Sequence, residues 1–156
     1  MNDKKSDGRL FENNPFTLEK LSGKGGSFLV IPCYKGEVFS REKFSEDHKM
    51  FERAALDFAQ NKIKPKYKQL NKINKDLSLE LFRETGELGF LGIDVPEKFG
   101  GIDLDKTSGC VILDALSSGR SASFMVTISA HTGIGTLPIV WYGNNQQKEK
   151  YLSKIA

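Results

Sequence analysis

The stretch Gly89-Phe90-Leu91-Gly92-Ile93-Asp94-Val95-Pro96-Glu97-Lys98-Phe99-Gly100-Gly101 constrains this chain most, because four glycines and a proline there interrupt sequence that reads as helical on both sides. Glycine reaches φ > 0 without steric cost, and a proline pushes the residue before it, here Val95, away from the helical region. A continuous helix cannot run through such a segment. The two flanks must be separate helices joined by an irregular crossing of specific shape.

The N-terminal flank predicts one amphipathic helix over about 45–63. Ser45 is a good N-cap, Glu46 and Asp47 suit the positive end of the helix dipole, and Phe44, Phe51, Ala55, Phe58, Ala59 and Ile63 form an apolar stripe. Pro65 biases Lys64 away from helix and so marks its end. Between Lys62 and Lys75 there are six lysines and no acidic residue, which reads as a solvated linker. Ser78 then caps a short helix with Leu79, Phe82 and Gly86 on one face and Gly89 closing it in the left-handed conformation. Gly86 inside that helix costs about 1 kcal/mol relative to Ala, which points to close approach of another backbone. Beyond the crossing, Asp105 is the expected N-cap of a helix running to about Ser118. Cys110, Val111, Ile112, Leu113, Ala115 and Leu116 surround that helix nearly all the way, the mark of a buried central helix.

From Ser121 to Gln147 no side chain carries a formal charge. That length raises the question of a membrane span, but nine Ser, Thr, His and Asn side chains and Pro138 argue for a buried helix over about 122–134. A short second helix follows, with Pro138 in its first turn and Gly143 at its end. Asn144 or Asn145 caps a last helix that is still running at Ala156, as expected of a chain cut from something longer. Residues 1–42 are polar and read as a flexible arm that docks through the island Phe28–Tyr34, the one stretch with a strand signal. The expected fold is all-α: an orthogonal or up-down bundle of five to six helices over 43–156, with an extended N-terminal arm over 1–42.

Function classes narrow quickly. A net charge of +3, from 23 basic and 20 acidic residues, is too balanced to indicate nucleic acid or an anionic lipid surface. Peripheral membrane contact is left open but not indicated. Two cysteines, Cys33 and Cys110, lie far apart with no neighbour at metal spacing, so neither a zinc site nor a disulfide framework is expected. The N-terminus lacks the apolar core of a signal peptide, which makes the cytoplasm the default compartment. Lys24 among glycines lacks P-loop spacing. Gly133-Ile134-Gly135 lacks the preceding strand a dinucleotide fingerprint needs. The only histidines are His48 and His131, and no Ser or Cys stands in an evident nucleophile arrangement with them, so no catalytic, cofactor-binding or metal-ligating residue is assigned. His131 reads first as a hydrogen-bonded core histidine. Thr127, Ala130, His131 and Ile134 stand at i, i+3, i+4 and i+7, a face that can pack on another helix or line a channel for an apolar ligand.

Four motifs in register carry a family resemblance: Gly86-Glu87-Leu88-Gly89-Phe90-Leu91-Gly92, Pro96-Glu97-Lys98-Phe99-Gly100-Gly101, Ser129-Ala130-His131-Thr132-Gly133-Ile134-Gly135, and Gly143-Asn144-Asn145-Gln146-Gln147-Lys148-Glu149-Lys150-Tyr151-Leu152. Over Phe44–Ala156 the chain resembles the N-terminal helical domain of the acyl-CoA dehydrogenases, and its arm resembles that of the long- and very-long-chain branch. The resemblance implies a parent flavoenzyme of fatty acid β-oxidation. In such an enzyme a glutamate takes the α-proton of a fatty acyl-CoA, and the β-hydrogen leaves as hydride to FAD, giving a trans-2-enoyl-CoA. It further implies that the base and the main FAD contacts come from a middle β-domain and a C-terminal helical domain, so this chain alone would be inactive. Electron-transferring flavoprotein as acceptor and a homo-oligomer are implied as well. By position in the third motif, Val126, Thr127, Ala130, His131 and Ile134 would form the wall of the distal acyl-chain channel. Ala130 is small where medium-chain members carry a larger polar residue. The rival expectation is a non-catalytic helical binding or interaction module that shares this domain.

Overall fold

The structure, a computed structural model, describes residues 40–156. The N-terminal arm up to residue 39, including Phe28–Tyr34, lies outside the described residues. Arg41–Lys43 forms a single 3₁₀ turn, and Phe44–Ala156 forms one compact unit. Seven α-helical segments occur among the described residues: α1 (Glu46–Phe58), α2 (Tyr67–Leu70), α3 (Lys75–Glu87), α4 (Lys106–Ser117), α5 (Ala122–Ala130), α6 (Leu137–Tyr142) and α7 (Asn145–Ile155). They merge into five helical rods, 46–70, 75–87, 106–117, 122–142 and 145–155, and the described residues contain no strand. The fold is all-α, as expected.

The first rod departs from the sequence reading at its C-terminal half. Helix α1 does not stop before Pro65. It widens into a π turn, Ala59–Ile63, tightens into a 3₁₀ turn, Lys64–Lys66, and continues as α2. Lys64 is helical (φ −58°, ψ −40°), and its N–H donates to the Ala59 carbonyl five residues back. A proline ring collides with the carbonyl four residues before it in a regular α-helix, and the wider turn removes that collision. The lysine-rich stretch is therefore helix and not linker. Lys62 and Lys66 lie along α3, pairing Glu84 at 2.8 Å and Glu80 at 3.2 Å.

Helix α3 also begins earlier than expected. Asn74, not Ser78, is its N-cap, accepting from the Leu77 N–H at 3.2 Å, while Ser78 sits inside the helix with its hydroxyl on the Asn74 carbonyl. The earlier start fixes the buried face as Leu77, Leu81 and Thr85, leaving Leu79 exposed. Gly86 makes room for the Leu91 side chain rather than for a backbone. The C-terminus behaves as read: Gly89 has φ +78°, its N–H donates to the Gly86 carbonyl, and the Phe90 N–H reaches back to Thr85. That pair of bonds is the Schellman closure, and it satisfies carbonyls the helix end would otherwise leave open.

The crossing then folds back on itself. Ile102, Asp103 and Leu104 donate to the carbonyls of Gly92, Val95 and Ile93 at 3.0, 3.0 and 2.8 Å. A β-carbon on Gly101 would overlap the Val95 carbonyl, so this return requires glycine there. The crossing contributes Phe90, Leu91 and Ile93 to the core, beside Phe58 and Ile63 of the first rod, Leu81 of α3, Ile112 and Leu116 of α4, and Phe124 and Ile128 of α5. Helix α4 is central and packs most extensively against α1. It is not buried on every side, because Cys110 is exposed.

One histidine ties two helix starts together. His48 is buried, and its Nδ1 accepts from the Ser45 N–H at 3.1 Å while the Ser45 hydroxyl oxygen accepts from the His48 N–H, closing a capping box on α1. With Nδ1 accepting, the proton is on Nε2, which donates to the Asp105 carboxylate at 3.1 Å. Asp105 is itself the N-cap of α4, accepting from the Ser108 N–H at 2.7 Å. The hydrogen bonds from Ser108, joined by the one from His48, hold the Asp105 carboxyl below the usual carboxylate range.

Candidate functional site

The uncharged segment forms a 21-residue rod, Ala122–Tyr142, whose most apolar 18 residues have a mean hydropathy of 1.3, apolar and long enough to cross a membrane by length and composition. The core takes one column of it, Phe124, Ile128, Thr132 and Thr136, spaced four apart. Only 22% of its most apolar stretch is buried, so most of an apolar helix faces outward. The rod is not one regular helix over 122–134, as the sequence suggests. At His131–Gly135 it opens into a second π turn, ahead of Pro138 as the first is ahead of Pro65.

The structure divides the five residues of the predicted channel wall. Val126 is 67% and Ile134 82% exposed, and Thr127 is exposed with its hydroxyl donating to the Ser123 carbonyl at 3.1 Å. Ala130 is half-buried between them. These four leave a shallow apolar face with its smallest side chain in the middle. His131 is turned out of that face: its Nε2–H donates to the Ile155 carbonyl at 3.0 Å, and its ring stands edge-on to Phe82 with centroids 5.2 Å apart. A satisfied imidazole pinned between α3 and the end of α7 does structural work.

Beside this face, a cavity of about 190 Å³ lies between α4 and the π turn, walled by Ile93, Leu113, Ser129, Thr132, Gly133 and Leu137, with Cys110 at its edge. Its rim carries an arrangement the sequence did not reveal. Lys106 pairs with Asp94 of the crossing and places its ammonium 5.3 Å from the centre of the Trp141 ring, joining crossing, α4 and α6. A second groove of about 230 Å³ runs between α6 and α7, past Pro138, Ile139, Tyr142 and Tyr151. Gly133-Ile134-Gly135 sits in a π turn continuing a helix, a context that offers no dinucleotide-binding turn. No group of three or more metal-ligating side chains is gathered among the described residues.

Residues 45–156 match the family "Acyl-CoA dehydrogenase, N-terminal domain". The chain belongs to the acyl-CoA dehydrogenase family. A probable acyl-CoA dehydrogenase of Bacillus subtilis (strain 168) is 38% identical over 133 residues, which is 85% of this chain and 22% of that protein. Among solved structures, an acyl-CoA dehydrogenase from Bacillus anthracis complexed with FAD superposes with a TM-score of 0.77 at 47% identity, over 85% of this chain and 22% of the other. A chain of a structure described as the electron transferring flavoprotein of Acidaminococcus fermentans aligns at 30% identity with a TM-score of 0.63, over 75% of this chain and 30% of its own length. The chain thus spans about a fifth to a third of the proteins it resembles. What it shares with the acyl-CoA dehydrogenases is their N-terminal helical domain.

Proposed function

We propose that this domain serves an FAD-dependent enzyme that dehydrogenates the α,β-bond of fatty acyl-CoA in β-oxidation, and that its part is to wall the distal acyl chain. The observation that carries this reading is the outward apolar face of the fourth rod, Val126, Thr127, Ala130 and Ile134, uncharged throughout and smallest at its centre. Such a face binds methylenes through burial of apolar area, about 0.8 kcal/mol for each, and offers no group that could take part in proton or hydride transfer. His131 supports the face from behind and is not proposed to touch the chain. The small side chain of Ala130 favours long acyl chains.

The cavities of about 190 and 230 Å³ fall short of the roughly 300–1,000 Å³ usual for cofactor sites, and the hollow of about 420 Å³ on α3 is lined mostly by the carboxylates Asp76, Glu80, Glu84 and Glu87, a poor match for the anionic pyrophosphate of FAD. The flavin, the carboxylate base and the electron acceptor, an electron-transferring flavoprotein, are proposed to meet the substrate through parts of the enzyme other than this domain. The same reading proposes a cytoplasmic homo-oligomer. The test is kinetic. In the parent enzyme, kcat/KM for palmitoyl-CoA should exceed that for butyryl-CoA, and Ala130→Gln should reverse the order by raising KM for the longer thioester. Preference of the unaltered enzyme for butyryl-CoA would refute the long-chain reading.

A further inference from the structure

The fourth rod turns one column, Phe124, Ile128, Thr132 and Thr136, into the core, while Val126, Ala130 and Ile134 belong to its outward apolar face. Ser129, Gly133 and Leu137 stand between the two, each one residue step, ~100° around the axis, from its neighbour in either column. All three line the cavity of about 190 Å³ between the rod and α4. The outward face therefore borders that cavity along the rod.

The border is open at Gly133. A β-carbon there would meet nothing within 4 Å beyond its chain neighbours and its own helix backbone. Nor does the backbone call for glycine, since Gly133 is not among the positive-φ residues. The gap it leaves gives passage from face to cavity. Inside, Ile93 and Leu113 make apolar walls, Gly109 of α4 adds no side chain, and the Thr132 hydroxyl is committed to the Ile128 carbonyl. The charged groups at the rim, Asp94 and Lys106, pair with each other. An apolar cavity on the order of 150 Å³ stays dry and takes a hydrocarbon of about six carbons, so this one suits a short length of alkyl chain.

We infer that the cavity between α4 and the fourth rod is the terminal pocket of the substrate site: the methyl end of a long acyl chain crosses Gly133 from the outward face and is buried there. This rests on the acyl-chain reading above and makes Gly133 a specificity-determining residue. A short acyl group, tied through its thioester to chemistry outside this domain, ends before the pocket.

The test uses the full-length parent enzyme with bound FAD. In Gly133→Leu the added side chain occupies the mouth of the pocket. The value of kcat/KM for palmitoyl-CoA should then fall about tenfold or more, the scale of a one-methylene discrimination in an apolar pocket, with butyryl-CoA unaffected. Gly133→Ala should give a smaller fall of the same kind. Cys110, exposed at the edge of the cavity, supplies a readout that needs no variant. Palmitoyl-CoA, and not butyryl-CoA, should slow its alkylation by iodoacetamide, followed on the Cys110 peptide by mass spectrometry. An unchanged constant for palmitoyl-CoA in a folded Gly133→Leu enzyme overturns the inference, as do equal losses on both thioesters. So does a Cys110 alkylated as fast with palmitoyl-CoA as with butyryl-CoA. These results belong to an enzyme that prefers palmitoyl-CoA. An unaltered parent inactive on both thioesters, or one that prefers butyryl-CoA, overturns the functional reading instead.

Discussion

Asp105 holds two helix starts at once, and removing it should cost more than a cap. Asp105→Ala takes away the acceptor of the Ser108 N–H at the head of α4, a loss of about 1 kcal/mol for an N-cap. It also strips the acceptor from His48 Nε2–H, whose residue is buried, and an unsatisfied buried donor costs about 1–3 kcal/mol. The Asp105 side chain is 60% exposed, so water can replace part of that bond and the lower half of the range applies. The expected total is about 2–3 kcal/mol, or roughly 30- to 150-fold faster exchange of the Ser45, His48 and Ser108 amides at about 1.4 kcal/mol per decade. Asp105→Asn should cost about 1 kcal/mol, because Asn caps as well as Asp but loses the charge at the helix N-terminus. The carboxyl is held below its ordinary range in the folded protein. Its contribution is therefore complete above the unfolded value, near pH 4, and is lost as pH falls through the lower folded value. Asp105→Asn should flatten stability against pH in that acidic window. Native exchange rates in Asp105→Ala, or an Asp105→Asn variant as damaged as the alanine one, would refute the double role.

Other expectations follow from the same structure. Gly89→Ala should destabilise by about 2–4 kcal/mol in denaturant melts, since alanine is strained at φ +78° and its β-carbon would overlap the Ile102 side chain. His131→Ala should cost about 1–2 kcal/mol and speed amide exchange near the end of α7, by losing the bond to the Ile155 carbonyl and the edge contact with Phe82. The isolated chain should purify colourless, and a yellow product with stoichiometric FAD would show that the cofactor's main contacts lie here. It should also self-associate in sedimentation velocity through the exposed Val126, Ile134, Trp141 and Tyr142, with a strictly monomeric profile at high concentration counting against it.

How much was legible in the sequence follows the range of the interactions involved. Caps and closures were readable because their partners lie within a few residues: Ser45, Asp105, Asn144 and Gly89 all act as their chemistry suggests. The exception is α3, where Asn74 outcompeted Ser78 as the cap and moved the buried face to Leu77, Leu81 and Thr85. Both π turns went unread, although each precedes a proline in helical sequence, because the rule that proline ends a helix leaves out the wider turn that accommodates it. On the outward face of the fourth rod, spacing placed His131 beside Ala130. Spacing could not show that an imidazole would find Phe82 and the Ile155 carbonyl from elsewhere in the chain and leave the face.

By itself, then, the sequence determined the all-α class, the crossing at Gly89–Gly101, most helix boundaries and the family, since these follow from local dihedral preference, periodicity and motif order. Tertiary structure alone decided that His48 would join two helix starts, that Lys106 would bridge Asp94 and Trp141, and which column of the uncharged rod the core would take. Each of those depends on groups distant in sequence meeting at a few ångströms, and only the packing of the rods sets such distances.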